Sequence, residues 1–433
     1  MTPLPALEIA RLAASGDGVA HDPSGRIVFV AGALPGEAVE ASLIEQRPRF
    51  ARAVVTSVLR PSDDRRHLPA ASDCAAERAG CGGCGMRHVH DRAALSLKAA
   101  ATWGELRKLA PGVAWPDFTL HPSPALDGYR SRLSLHADLS GRVGLHRAGS
   151  RAVIDADPCL AACDDLRLAF PALRALAAPL SAPPQKWVVE AHGGRVWCAW
   201  KGASSPAQRA AARDLVAASA LAAVRFVDAH HRVLSDVGDP WMAIPVTVAD
   251  RALHYRRVIG SFGQANPAVN AALLAHVRAQ VEAWGSRRVA DLYAGSGNLT
   301  LAAACAPGLQ EAWAVEVAPD GVEGTSRSAA ASGLSDRVRV AQHDLDKPDA
   351  ATRRALSSCD AVILDPPRTG ALALTKHLAS LRPPHILYIS CSPPHMARDL
   401  AALGDAYEVT SLAAFDMFPR TPHLEAVASL RLR

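Results

Sequence analysis

From residue 266 onward the chain keeps one rhythm: short apolar runs at 289–293, 312–317, 338–341, 361–364 and 386–390, with helical segments between them. Runs that are apolar throughout suit strands buried on both faces. A helix after each strand carries the chain back to start the next one in the same direction, which makes the pairing parallel. The expected fold of this part is therefore a doubly wound α/β sheet. Asn266 before Pro267 reads as the cap and first turn of a helix reaching Trp284. Two longer runs, 408–415 and 425–432, are expected to form a terminal antiparallel pair.

The front of the chain reads differently. Residues 4–60 alternate short β-rich runs with turn signals such as Gly16-Asp17-Gly18, the spacing of a small β-barrel. Cysteines follow at Cys74, Cys81 and Cys84, with Gly82 and Gly83 between the last two. A hairpin-rich α+β region spans about 127–260, including strands at 187–190 and 195–200 joined through His192-Gly193-Gly194, and an Ala-rich helix at 207–220. The expected domains are 1–62, 63–260 and 261–433.

Bulk properties bound the rest. The chain has 433 residues, 49% apolar and 21% charged, with a net charge of +5. That balance permits a nucleic-acid partner without requiring one. No run approaches the ~20 apolar residues of a membrane span, and no leading segment resembles a signal peptide. The expected location is the cytoplasm, so the nine cysteines are not read as a disulfide framework.

Several positions carry chemistry. Asp291-Leu292-Tyr293-Ala294-Gly295-Ser296-Gly297-Asn298 follows a strand and opens a helix, so its glycines let backbone approach a ligand at the carboxyl edge of the sheet. Glu316 ends the next strand, where a carboxylate can hold two ribose hydroxyls. The third glycine of the dinucleotide fingerprint is missing, which favours S-adenosylmethionine. Asp365-Pro366-Pro367-Arg368 ends the fourth strand, either as a plain strand stop or as a pocket wall at the same edge. Cys391 lies just past the fifth. The early Cys-x6-Cys-x2-Cys cluster is one ligand short of a tetrahedral sulfur site, and zinc or an iron–sulfur cluster would both accept it.

Ile389-Ser390-Cys391-Ser392-Pro393, together with Asp416-Met417-Phe418-Pro419-Arg420-Thr421-Pro422-His423-Leu424-Glu425, resembles the RNA 5-methyluridine methyltransferases, and the chain is most similar to their 23S ribosomal RNA branch because that branch can carry both an N-terminal barrel and a cysteine cluster. The segment from Gly25 to Glu37 resembles the TRAM domain, an OB-like RNA-binding barrel. The resemblance implies a class I methyltransferase domain in which Cys391 adds to carbon 6 of uracil and Glu425 removes the proton from carbon 5. It implies cofactor contacts by Gln264, Tyr293, Gly295, Glu316 and Asp365, with Asn298 and Asp344 at further matching positions. Asp157-Pro158-Cys159 stands where the family supplies a fourth cluster ligand, implying a 4Fe-4S cluster on Cys74, Cys81, Cys84 and Cys159, with Cys163 as a competitor. Two departures from the family pattern stand out: Gly263 replaces a large apolar residue, and Ser392 replaces Asn. Arg130 and Arg132 are the candidate RNA contacts, against a salt-bridge role for each, and the expected state is a monomer. Other readings left open are a transfer-RNA enzyme, a catalytically silent RNA-binding iron–sulfur protein, and a cytosine-C5 methyltransferase. DNA-type cytosine enzymes carry the nucleophile in a Pro-Cys pair, whereas Ser390 precedes Cys391.

Overall fold

The computed structural model describes residues 2–66, 74–156, 159–178, 186–345, 347 and 350–433. Residues 2–60 form one six-stranded sheet, antiparallel except where Ile27–Ala31 runs parallel to Phe50–Arg60. Inward residues such as Leu7, Val28, Val30 and Val39 make its core.

A seven-stranded sheet builds the middle of the chain, in the spatial order Val153–Asp155, Val143–His146, Arg132–Ala137, Lys186–His192, Arg195–Lys201, Ala223–Val227, Val233–Gly238. Lys186–His192 and Arg195–Lys201 pair through the two-residue turn Gly193-Gly194, whose φ values of 58° and 73° need glycine. Trp187 and Trp200 stack at 4.9 Å beneath helices Phe170–Ala177 and Pro206–Ala217.

The third sheet has eight strands, in the order Val338–Gln342, Glu311–Glu316, Arg288–Leu292, Ala361–Leu364, His385–Ser390, Glu425–Leu432, Tyr407–Phe415, Phe118–His121. The first five are parallel and coincide with the expected runs to within a residue. Glu425–Leu432 is antiparallel to both of its neighbours, as expected of the terminal pair. Asn266 caps helix Pro267–Ala283 by accepting from Val269 N at 3.2 Å. Strands Arg288–Leu292 and Ala361–Leu364 are neighbours; the connection leaving the first runs to Glu311–Glu316 on one side and that leaving the second to His385–Ser390 on the other, which opens a crevice above their carboxyl ends.

The expected central region of 63–260 gives up two pieces to this sheet. Helix Asp91–Leu109 packs on helix Pro393–Ala401, and strand Phe118–His121 pairs parallel with the end of Tyr407–Phe415. The hairpin of Trp241–Val248 and Arg251–Val258 lies on helix Pro319–Ala331, with Val248, Leu253 and Tyr255 in the core of the α/β domain.

Candidate active site

The ladder registers decide which side chains meet. Leu292 pairs with Val315 and with Leu364, and Ser390 pairs with Ala426. One rung further along these ladders stand Tyr293, Glu316, Asp365 and Cys391, with Glu425 opposite Cys391 on the antiparallel strand. All five line a cavity of about 640 Å³, together with Gln264, Gly295, Asp344, Arg368, Phe418 and His423.

The loop after the first of these strands is built for close approach. Tyr293, Gly295 and Gly297 have φ of 64°, 56° and 88°. A side chain at Gly297 would meet Thr325 at 2.9 Å. The loop also aims Glu316: Gly295 N donates to one carboxylate oxygen at 2.9 Å, and Val317 N and Ala318 N donate to the other at 2.8 Å each. Below the loop, Asp291 accepts from Thr300 Oγ1 at 2.5 Å. Burial pushes its carboxyl up to about 7, against the Thr300 hydrogen bond, with Asp365 adding to the rise.

Charge is concentrated in the cavity. Burial raises Asp365 to about 7. Glu425 stands well above the usual carboxylate range through burial and the facing Asp365, although Arg368 pulls it down. The Cys391 thiol is raised by burial and then by Glu425, while the Arg368 charge and hydrogen bond act the other way. His423 is kept neutral by burial and by the nearby Arg368, Arg130 and Lys98. Three carboxylates around a glycine loop, beside an apolar wall of Phe262, Pro366 and Leu345, suit a ligand with ribose hydroxyls and a positive centre. S-adenosylmethionine has both.

Asn298 lies elsewhere. It lines a neighbouring cavity of about 180 Å³ and exchanges amide hydrogen bonds with Asn270 at 3.1 and 2.8 Å. Gln264 borders both cavities. Ser392 bonds His395 Nδ1 through its hydroxyl at 2.8 Å. The departure at Gly263 has a physical counterpart, because a Cβ there would stand 2.4 Å from the guanidinium carbon of buried Arg257. Arg257 and Arg132 share the buried Glu190 carboxylate, and Arg132 also donates to Ser261 O at 2.7 Å. That places Arg132 in the salt-bridge role. Arg130 instead reaches the pocket wall, with its guanidinium 4.9 Å from the Phe418 ring and its Nε donating to Tyr129 Oη at 3.1 Å.

The early cysteines are neighbours. The thiols of Cys74 and Cys159 both raise Cys81, after burial, and those of Cys159 and Cys81 raise Cys84. Cys163 instead responds, after burial, to Leu166, Asp165 and Asp164 of its own helix. Asp157 and Pro158 lie outside the described residues. Among the described residues no group of three His, Cys, Asp or Glu side chains is disposed to hold a metal ion.

Arg368, Phe418 and His423 stood within the motifs without an assigned role. Phe262 likewise stood within the Ser261-to-Asn266 stretch that resembles a family motif, and His343 gave no signal in the sequence beyond its nearness to Asp344.

A family model described as tRNA (Uracil-5-)-methyltransferase matches residues 232–432, and a TRAM domain model matches 7–56. The 23S rRNA (uracil(1939)-C(5))-methyltransferase RlmD of Chromohalobacter salexigens is 35% identical, over 98% of this chain and 88% of its own length. The protein of the same name from Bordetella pertussis is 32% identical, over 98% and 92%. The structure of the Pyrococcus abyssi tRNA (uracil-54, C5)-methyltransferase in complex with S-adenosyl-L-homocysteine shares the fold, with a TM-score of 0.73 at 20% identity, covering 98% of this chain and 100% of that one. At the identity of the curated relatives, sustained over nearly its whole length, the chain belongs to the RNA (uracil-C5)-methyltransferase family.

Proposed function

We propose that the protein methylates carbon 5 of a uridine in 23S ribosomal RNA through a covalent adduct between Cys391 and carbon 6. The observation that carries this reading is the register that sets Cys391 opposite Glu425, in a cavity shared with Asp365. The choice of ribosomal RNA is supported by the names of relatives at 32–35% identity.

Carbon 5 of uracil is not nucleophilic on its own. Addition of the Cys391 thiolate to carbon 6 pushes the ring electrons toward O4 and leaves carbon 5 electron-rich. When bound, S-adenosylmethionine supplies the methyl group that carbon 5 takes up. Glu425 then accepts the carbon 5 proton. The electron pair left behind restores the C5–C6 double bond as the C6–S bond breaks, returning the thiolate. Glu316 would hold the ribose hydroxyls, with Gln264, Tyr293, Gly295, Asp344 and Asp365 around the rest of the cofactor, and Asn298 supporting the loop from the second cavity. Arg130, stacked on Phe418 beside the 69%-exposed Phe262, would meet the RNA. The protein would act as a cytoplasmic monomer; no helix among the described residues is long and apolar enough to cross a membrane.

Mapping modified uridines by mass in ribosomal and transfer RNA, from cells with and without the gene, tests the target. Loss of one 23S methyluridine supports it, loss in transfer RNA moves the target, and no loss in either overturns the function.

The reading includes a 4Fe-4S cluster on Cys74, Cys81, Cys84 and Cys159, supported by the resemblance in spacing and by the mutual nearness of the thiols. Methylation as drawn needs no electron, so the cluster would tie the 74–84 segment to Cys159. Protein purified without oxygen should be brown, with iron and sulfide that are lost when any of the four becomes Ser. Zinc without labile sulfide would refute the cluster, and iron retained in Cys159→Ser but lost in Cys163→Ser would move the fourth ligand.

A further inference from the structure

The pocket wall that carries Phe418, His423 and Glu425 is the turn between the last two strands of the large sheet. Its own bonds are short-range: Thr421 Oγ1 donates to Phe418 O at 2.8 Å, and His423 N donates to Thr421 Oγ1 at 3.3 Å. Its longer-range bonds reach about three hundred residues back along the chain. Tyr129 Oη donates to Pro419 O at 3.3 Å, and Arg420, at φ 58°, is gripped by Asp91 at 3.3 Å and Asp127 at 2.7 Å.

Lys98 of helix Asp91–Leu109 makes the deepest of these contacts. It is 2% exposed, and its ammonium donates to Asp416 Oδ1 at 2.7 Å, Phe418 O at 3.0 Å and His423 O at 3.3 Å. All three ammonium protons are used, and they join the start of the turn to its end. A lysine is an expensive way to fill such a space, since burying its charge costs more than a well-packed apolar side chain would. What it provides instead is three converging donors from one point, which the flat fork of an arginine does not offer.

We infer that Lys98 is a positioning residue for proton removal: it fixes both ends of the 416–425 turn and, through that turn, sets the Glu425 carboxyl opposite Cys391. The inference rests on Glu425 being the proton acceptor. It puts a determinant of the chemical step on a helix outside the span matched by the methyltransferase family model, which begins at residue 232. Loss of the clamp therefore acts on release of the methylated base, while the cofactor end of the pocket, built on the glycine loop and Glu316, keeps its shape.

Full-length Lys98→Met, Lys98→Met/Asp416→Asn and Glu425→Gln test this, with S-adenosylmethionine affinity by calorimetry, kcat and KM for RNA, thermal unfolding, and covalent protein–RNA adduct on a denaturing gel. Lys98→Met should bind S-adenosylmethionine within about twofold of wild type, and its kcat should fall on the order of a hundredfold, the cost of a displacement of about 1 Å at a reacting group. It should also accumulate the adduct that Glu425→Gln accumulates. The double variant leaves no uncompensated buried carboxylate, so its unfolding midpoint should return toward wild type while kcat stays low. If kcat returns together with the midpoint, Lys98 only supports the fold and the inference is overturned. It is equally overturned if Lys98→Met turns over normally without adduct while Glu425→Gln traps it. Should Lys98→Met not fold, the double variant decides. If Glu425→Gln forms no adduct, the role of Glu425 is wrong and this inference falls with it.

Discussion

Cys391 is held where its thiolate is hard to form, since burial and Glu425 both favour the protonated thiol, while the Arg368 charge and hydrogen bond act the other way. Only the thiolate attacks, so the rate of adduct formation should climb with pH beyond the ordinary thiol range. Arg368→Gln should move that alkaline limb to higher pH. Alkylation of the Cys391 peptide by iodoacetamide, followed by mass spectrometry across pH, reads the shift directly; an unmoved limb would remove Arg368 from the thiol's environment. Cys391→Ala should abolish methyl transfer and leave S-adenosylmethionine affinity nearly unchanged, because the thiol meets the base and not the cofactor. Glu425→Gln should slow turnover by roughly 10²–10⁴-fold, the usual worth of a positioned proton acceptor. A shifted protein–RNA band should then appear on a denaturing gel, and inactivity without that band would dismiss Glu425 as the acceptor.

At the scale of elements, Glu190 joins strand Lys186–His192 to the Arg251–Val258 hairpin strand and to strand Arg132–Ala137, through Arg257 and Arg132. Burial works against its charge, but the two guanidiniums outweigh it and hold the carboxyl down to about 2. The folded-state value lies below the unfolded one, so this stability is present above about pH 4.5 and is lost as pH falls toward 2. Glu190→Gln should cost about 3–5 kcal/mol in chemical denaturation at neutral pH, as expected for two buried cations deprived of their shared partner, and should flatten that acid limb. Equal stability at pH 7 would show that the triad contributes nothing net. None of this was legible in the sequence, because Glu190 stands within an apolar run and reads as a strand charge. The parallel strands were legible, since each is a run buried on both faces. So was helix Pro267–Ala283, which announces itself through Asn266 and Pro267. Strand Phe118–His121 was not, being four residues long and half-exposed, with no alternation to mark it. Helix Asp91–Leu109 hid for the opposite reason: between Leu95 and Leu106 its buried face carries Lys98, Ala99 and Thr102, so its apolar stripe is broken by polar residues. Cys391 and Glu425 came through the motifs around them, whereas Lys98 could not, as a lone lysine on a helix reads as solvated.

Across the whole molecule, RNA has to reach a half-buried thiol in the wall of a cavity. The target uridine must leave its stack to bring carbon 6 to Cys391. A uridine held in a rigid duplex should react far more slowly than the same sequence in a loop, and comparable single-turnover rates would remove extrusion as a requirement. Affinity should also fall steeply with salt as phosphate contacts release counterions. Strand Phe118–His121 carries a consequence of another kind. It pairs with Leu412–Phe415, residues nearly three hundred positions later in the chain. On a ribosome adding roughly 5–20 residues per second, that strand waits on the order of 15–60 s for its partner. Throughout the wait, the helix bearing Lys98 has no turn to hold and Cys391 has no Glu425 opposite it. A half-made chain would therefore have its front sheet complete and still be unable to act on RNA, and activity would switch on only as the last strands are laid down.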